Sequence, residues 1–351
     1  MNIICGRGGE AGTGEKFADF ARRLAAAILS IRQANGSPPI PMSGLLLERL
    51  IASPWPKSKE FFVVEEGGEI IATLGANVSE AEPQRGYLGF FEIRGDRQEV
   101  FPQLLQMGKR FLREQGVVEI YAPVNYSTWF SYRLRLPCPD TKYFSWEPGN
   151  PPFYPDLFQN HGFAVASLYH TIGVPSLREF AGAFAPSLAK ISAAGYRLRG
   201  FGDLGGGGDL TRLLPSLYHL SMNGFSDNFL FEELSFEMFQ SIYVPIMSKG
   251  DTSMSCVAVN GEDKPVGFCF AFAEGDIFIV KTIAVLPEAR SQGLSNAMVH
   301  WGATRGLAQG LRRAAVALVR SGIQSESYTS KQKHEWKHEY VLYKITLSGE
   351  F

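Results

Sequence analysis

The densest chemistry in the sequence lies between Phe278 and Gly310. An apolar, β-branched run (FIVKTIAV, Phe278 to Val285) leads through LPEARSQGLS into NAMVHWGATRGLAQG. The first part has the composition of a buried strand, and the last spaces Leu294, Met298, Trp301 and Leu307 as one face of a helix. Arg290, Gln292 and Gly293 stand at the connection, with Gly293 where the helix begins. A strand that turns into a helix leaves first-turn N–H groups unpaired at the positive end of the helix dipole, which suits a phosphate group. Gly293 removes the Cβ that would hold a ligand off the backbone. Arg290 adds a charge-assisted donor. An ordinary βα turn with a solvated arginine fits the same spacing.

Two other motifs compete. His334-Glu335-Trp336-Lys337-His338 matches H-E-x-x-H, which on a helix sets two imidazoles one turn apart for zinc. Such a site needs a third ligand and a cleft, whereas the residues after His338 read as a terminal strand and Lys331, Lys333 and Lys337 oppose a cation. The segment is read as a solvated helix or loop, and no metal is expected. Near the start, Gly6, Gly8, Gly9, Gly12 and Gly14 precede Lys16, but no G-x-x-x-x-G-K-[ST] can be laid on them. Asn2 to Cys5 is short for a strand, so this stretch reads as a flexible leader.

The elements that must hold these groups follow from length and pattern. At 351 residues the chain predicts two domains. Hydrophobic content of 45% and charged content of 20% are those of a globular protein with a sizeable core. A net charge of −1 and a pI near 6.6 supply no field for nucleic acid or acidic membranes. Cys5, Cys138, Cys256 and Cys269 form no C-x-x-C pair, which predicts reduced thiols. MNIICGRGG is too short an apolar stretch for a signal peptide, and no run approaches 18 apolar residues. The expectation is a cytoplasmic protein without membrane or nucleic-acid partners.

In order, the sequence predicts a helix over 15–33, strands over 60–64 and 69–76 about a Glu66-Gly67-Gly68 turn, a strand over 87–93, a helix over 97–115 and a strand over 117–121. Pro123 to Phe163, rich in aromatics, Pro and Asn, reads as loops lining a cleft or as a packed insertion; Asn125 and Tyr126 are its candidate substrate residues. Residues 176–194 read as a helical connector, Tyr196 to Phe201 as a strand, and Gly205 to Gly208 as a mobile loop. Helical patterns from Leu210 to Lys249 break at Asn223-Gly224-Phe225-Ser226-Asp227. Cys256 to Val259 and Val266 to Ala273 pair about Asn260-Gly261. Strands over 314–319 and 341–347 close the chain.

The stretch Val285-Leu286-Pro287-Glu288-Ala289-Arg290-Ser291-Gln292-Gly293-Leu294-Ser295 resembles the acyl-CoA signature of the GNAT superfamily of N-acyltransferases: a strand ending in A-V, then R/Q-x-x-G-x-G/A opening a helix. Arg290 and Gly293 match, and Ser295 stands where that signature has Gly or Ala. The resemblance implies that Arg290, Ser291, Gln292, Gly293, Leu294 and Ser295 hold the CoA pyrophosphate, and that Ile283, Ala284 and Val285 pair with the pantetheine arm. The element order repeats in the first half, where GYLGFFEIRGDRQEV occupies the signature position but Arg94-Gly95-Asp96-Arg97 does not supply it. The expected fold is therefore α/β, two tandem GNAT-like domains, each a mixed, mostly antiparallel sheet flanked by helices. Residues 1–174 form a degenerate copy without CoA, 175–195 a connector, and 196–351 the CoA-binding copy.

The resemblance implies an acyl-CoA-dependent N-acyltransferase, in the first instance using acetyl-CoA, with a small or amino-acid-like amine as acceptor in the cleft between domains. A protonated alkyl amine has a pKa near 10, so a base is needed, and the thiolate leaving group must take up a proton. The glutamate that many relatives carry on the signature strand is absent; Lys281 and Thr282 occupy that place. Glu274 and Glu233 are the substitute bases considered, and Tyr328 is the candidate acid, by analogy with a tyrosine after the next strand. Phe225, Asp227, Asn228 and Phe229 fall where relatives face the acceptor, although Ser226 or Asp227 could simply cap a helix. Two other readings are a non-catalytic acyl-CoA-binding module and a Fem-type aminoacyl-tRNA-dependent transferase. Tandem domains are compatible with a monomer or a homodimer.

Overall fold

The structure, a computed structural model, describes residues 2–7, 14–40, 42–139, 144–204, 210–249, 251–322, 326, 329 and 332–347. Along the chain these form β1 (Asn2–Arg7), α1 (Gly14–Ala34), α2 (Gly44–Ala52), β2 (Lys59–Glu66), β3 (Glu69–Val78), β4 (Arg85–Ile93), α3 (Phe101–Glu114), β5 (Glu119–Ala122), β6 (Leu134–Arg135), α4 (Tyr154–Asn160) and β7 (Ala164–Val174). Next come α5 (Leu177–Phe184), α6 (Pro186–Ala193), β8 (Arg197–Gly200), α7 (Phe201–Leu204), α8 (Leu214–Gly224), α9 (Phe236–Lys249), β9 (Cys256–Val259) and β10 (Pro265–Glu274). The last elements are β11 (Ile277–Val285), α10 (Leu294–Ala308), β12 (Arg313–Arg320) and β13 (Trp336–Thr346). The chain divides into two compact units, one of residues up to Tyr169 together with those from Glu339 on, the other His170 to His338.

In the first unit the strand order is β1-β2-β3-β4-β5-β13, with β6 also on β13. β1 to β4 are antiparallel, β4 and β5 are parallel, and β5 and β13 are antiparallel. Both faces of this sheet are covered, so its strands read as near-continuous apolar runs. Alternation sorts them: Phe61 and Val63 join the core with α1 and α2, while Phe62 and Val64 join the core with α3. Helix α3 buries Phe101, Leu104, Leu105, Gly108, Phe111 and Leu112, a single stripe of helical period.

In the second unit β8-β9-β10-β11 are antiparallel, β11 and β12 are parallel, and β7 lies beside β12. The strands described for each unit are thus mixed in direction and flanked by helices. Helix α10 turns Leu294, Ala297, Met298, Val299, Gly302, Ala303 and Gly306 inward. This is a face of mainly small residues, so α10 lies close to the strands; Trp301 and Leu307, read as part of its apolar face, are only partly buried beside that core. Cys256 and Cys269 sit opposite one another on β9 and β10 as free buried thiols, and burial pushes Cys269 up to about 12.

Several expectations change. Asn2–Arg7 pairs with β2 along its whole length, because six backbone partners in register outweigh an unremarkable composition. β7 was not legible: Ser167, His170, Thr171 and Gly173 interrupt its apolar residues, although the turn at Gly162 (φ +85°) precedes it. The last strand, assigned by sequence order to the second domain, groups with the first unit from Glu339 on, where Tyr343–Thr346 pair with Glu119–Ala122. The H-E-x-x-H segment runs into β13, where residues four apart stand about 13 Å apart along a strand rather than one helical turn. Gly205 to Gly208 lie outside the described residues. Among the described residues no helix is long and apolar enough to cross a membrane.

Candidate functional site

The site begins with a parting of strands. β11 stays paired with β10 from Ile277 to Val285, but its ladder with β12 covers only Ile277–Val280 against Arg313–Val316. At that point β11 carries a bulge: Val280 pairs with Ala271 and Thr282 with Phe270, leaving Lys281 as the extra residue. A bulge bends the strand and sharpens its twist. Beyond it the edge of β11 from Ile283 to Val285 diverges from β12. β12 turns toward β7 instead, where Leu318, at φ +58°, donates its N–H to the Thr171 hydroxyl at 2.9 Å.

The open edge runs directly into the loop singled out in the sequence. Pro287–Ala289 make one tight turn, Arg290 is extended, Ser291 has φ +67°, and Gly293 caps α10 at φ +89°. Gly293 has no side chain to give the helix, and no side chain caps α10, so its first-turn N–H groups face the loop. The Cβ of any other residue at 293 would lie 3.4 Å from the Lys190 stem, in a conformation that favours glycine. Lys190, on α6, donates to the Ser291 carbonyl at 3.1 Å and steadies the loop from outside.

Arg290 does not point at this space. Its guanidinium forks onto Asp227 at 2.6 and 3.0 Å, and donates to the Gly224 carbonyl at 3.0 Å and the Val285 carbonyl at 3.3 Å. The fork holds the Asp227 carboxyl below its usual range. As an exposed pair this is worth about 0.2–1 kcal/mol; its effect is to pin the end of α8 against the end of β11. Gly224 lies so near β11 that a Cβ there would come within 3.1 Å of the Ala284 methyl. At the far side, the Arg320 guanidinium at the end of β12 lies 4.3 Å over the Phe229 ring. Residues 224–229 therefore reach from the end of β11 to the end of β12.

The first unit has the same beginning and a different outcome. The β4–β5 ladder ends at Tyr87 against Tyr121, and a bulge follows near Phe90 (φ +47°). Here, though, the chain after β5 folds back into the gap: Val124 donates to the Leu88 carbonyl at 2.7 Å, and the Asn125 side chain accepts the Phe90 N–H at 2.6 Å. A Cβ at Gly89 would lie 2.0 Å from the Val124 carbonyl oxygen, so only glycine admits this segment.

Known structures share this fold. Across their lengths (100% of each), the chain matches the tandem GNAT protein from the clavulanic acid biosynthesis pathway with a TM-score of 0.54 at 11% identity. It matches a probable N-acyltransferase from Enterococcus faecalis V583 over 99% of this chain and 72% of that one, with a TM-score of 0.57 at 7% identity. The fold is that of the GCN5-related N-acetyltransferases. A GCN5-related N-acetyltransferase from Kribbella flavida matches 98% of this chain and 72% of its own, with a TM-score of 0.53 at 10% identity. No family model matches the sequence, and no curated protein does.

Within this GNAT fold, Ile283, Ala284, Val285 and residues 290–295 come together along one edge and one helix start, with Val285 and Leu294 turned into the core. Asn228 and Phe229 lie on the segment that reaches across it; Asp227 is a partner of Arg290 and no helix cap. Glu274 pairs with Ile277 at the closed end of β11, about 13 Å of strand before the bulge. Glu233 is exposed, while its neighbour Glu232 is 1% exposed, a distinction that only the folded structure reveals. Asn125 fills the first unit's gap, and Tyr126 is buried with its hydroxyl donating to the Ile51 carbonyl at 3.0 Å. Tyr328 lies outside the described residues.

Proposed function

We propose that this protein is an acyl-CoA-dependent N-acyltransferase, with acetyl-CoA the first donor to test and a small or amino-acid-like amine as acceptor. One observation carries the reading: an open β11 edge that leads from a bulge into the glycine-capped first turn of α10. A pantetheine arm bears amides spaced to pair with such an edge, as an added strand would. The N–H groups of residues 291–295 would receive the pyrophosphate. This sets the thioester at the parting of β11 and β12, beside Lys281 and Thr282, where backbone N–H donors can stabilise a developing oxyanion. The amine attacks from the side of residues 224–229. Tyr328 is retained as the proposed acid for the departing thiolate. We infer further that the two units are tandem GNAT-like copies and that the first binds no CoA, because Val124 and Asn125 take the place of the pantetheine.

The test is calorimetric titration of acetyl-CoA and longer acyl-CoAs into the wild type and into Ser295→Glu. Ser295 has ordinary helical geometry, so glutamate there adds a carboxylate at the helix start without the backbone strain a change at Gly293 would bring. Binding weakened at least about tenfold, about 1.4 kcal/mol, is expected. Binding without turnover toward any amine would favour a non-catalytic module. Absence of binding by the wild type would overturn the proposal and favour an aminoacyl-tRNA donor.

A further inference from the structure

Of the bases considered from the sequence, Glu274 stands at the closed end of β11 and Glu233 faces outward. The segment after the Phe229–Arg320 contact supplies another. Residues 231–235 lie outside helix and strand, and burial alternates along this segment: Leu230, Glu232 and Leu234 are 3%, 1% and 2% exposed, while Glu233 and Ser235 face outward. The register is held at both ends, by Phe231 donating to the Asn228 carbonyl at 3.1 Å and by the Tyr218 hydroxyl donating to the Leu234 carbonyl at 2.8 Å. Leu230, at φ +59°, makes the turn between them. Among the described residues of the second unit, Glu232 is the one buried carboxylate.

Glu232 stands at an inward position between two leucines. Its place gives it a use. The same segment is tied to Arg290 at Asp227 and stacked on Arg320 at Phe229, so it spans the mouth where β11 and β12 part, and Glu232 follows three residues later.

Resting on the acyltransferase reading, we propose that Glu232 receives the acceptor's ammonium and takes its first proton. The ammonium gives one proton to the Glu232 carboxylate, which later returns it to solvent. The freed nitrogen lone pair forms the N–C bond to the thioester carbonyl, and the C–S bond breaks with its electron pair going to sulfur. The nitrogen's second proton ends on that sulfur, so acyl-CoA and the ammonium yield amide, CoA thiol and one proton.

The test compares two amines of similar size, ethylamine, which is an ammonium at pH 7, and 2,2,2-trifluoroethylamine, which is already neutral, with acetyl-CoA as donor. In Glu232→Gln, kcat/KM for ethylamine should fall about 100-fold or more, the range of general base catalysis, and that for trifluoroethylamine less than about 3-fold. Acetyl-CoA affinity should be unchanged. An equal loss on both amines would assign Glu232 a structural role and overturn this proposal alone; a wild type inactive on both overturns the acyltransferase reading with it. Should Glu232→Gln fail to fold, Glu232→Asp, which withdraws the charge by one methylene, is read in the same pair of assays. A selective loss on ethylamine supports the proposal, and an equal loss overturns it.

Discussion

Lys59 lies 5% exposed on β2, with its ammonium donating to the Trp55 carbonyl at 3.3 Å and to the Ser53 carbonyl, and the Tyr126 ring 5.0 Å away. Burial pulls its pKa down from 10.5 to about 8. The unfolded chain therefore binds the proton more tightly than the folded one, so stability rises as pH climbs from about 8 to 10.5 and the charged form burdens the fold below that window. The burden is of order 3 kcal/mol at neutral pH. Urea unfolding at pH 7, 8, 9 and 10 should show wild-type stability rising relative to Lys59→Met across that window; parallel curves would refute the assignment. Residues of this kind show where sequence reading stops. Tyr126 and Asn125 came from a stretch rich in aromatics and Asn, a composition shared by cleft linings and packed insertions, and only their buried partners distinguish the two. Glu232 and Glu233 are chemically alike; only the alternation of burial along their segment separates them. Arg290, read from the sequence as a donor to the pyrophosphate, forks instead onto Asp227, which stands 63 residues away and is chosen by tertiary contact.

At the scale of elements, local signals sufficed where they were dense. The β9–β10 hairpin, β11, and the start of α10 at Gly293 follow from β-branched runs, an Asn-Gly turn and a helix-start glycine. β1 and β7 did not, since their identity as strands comes from neighbours rather than from their own composition. Helix α10 was legible as a helix, but which face it buries was not, because that face is defined by small residues. Gly302 is the sharpest case: a Cβ there would lie 2.7 Å from the Met254 carbonyl oxygen and 3.1 Å from the Phe278 ring. Gly302→Ala gains helix propensity of up to about 1 kcal/mol, yet must push α10 off backbone that cannot yield. A net destabilisation of about 1–3 kcal/mol is expected, read as a lower urea midpoint with an unchanged slope. A midpoint at or above the wild type's would mean the helix has room to move.

At the scale of the whole molecule, the chain closes on itself: its final strand completes the sheet of the unit that its first residues begin. Tyr343 on β13 is fully buried, stacks on Phe158 at 5.8 Å, and accepts a hydrogen bond from Gln159 at 2.8 Å. Tyr343→Ala should cost about 3–5 kcal/mol. Its signature in amide hydrogen exchange should be lost protection over 59–122, with 256–285 little changed. The reverse pattern would contradict the division of the chain. The filled gap beside β4 has a consequence of another kind. Where Val124 and Asn125 close the first unit's edge, the polypeptide supplies its own occupant, fixed by the length of the connection and independent of any concentration. On the acyltransferase reading, the corresponding edge in the second unit takes its occupant from solution, and the stabilisation it brings grows with the concentration of that ligand. On the proposed function, one half of this protein is built to the same stability in any metabolic state, and the other half reads the cell's supply of acyl-CoA, one molecule per chain.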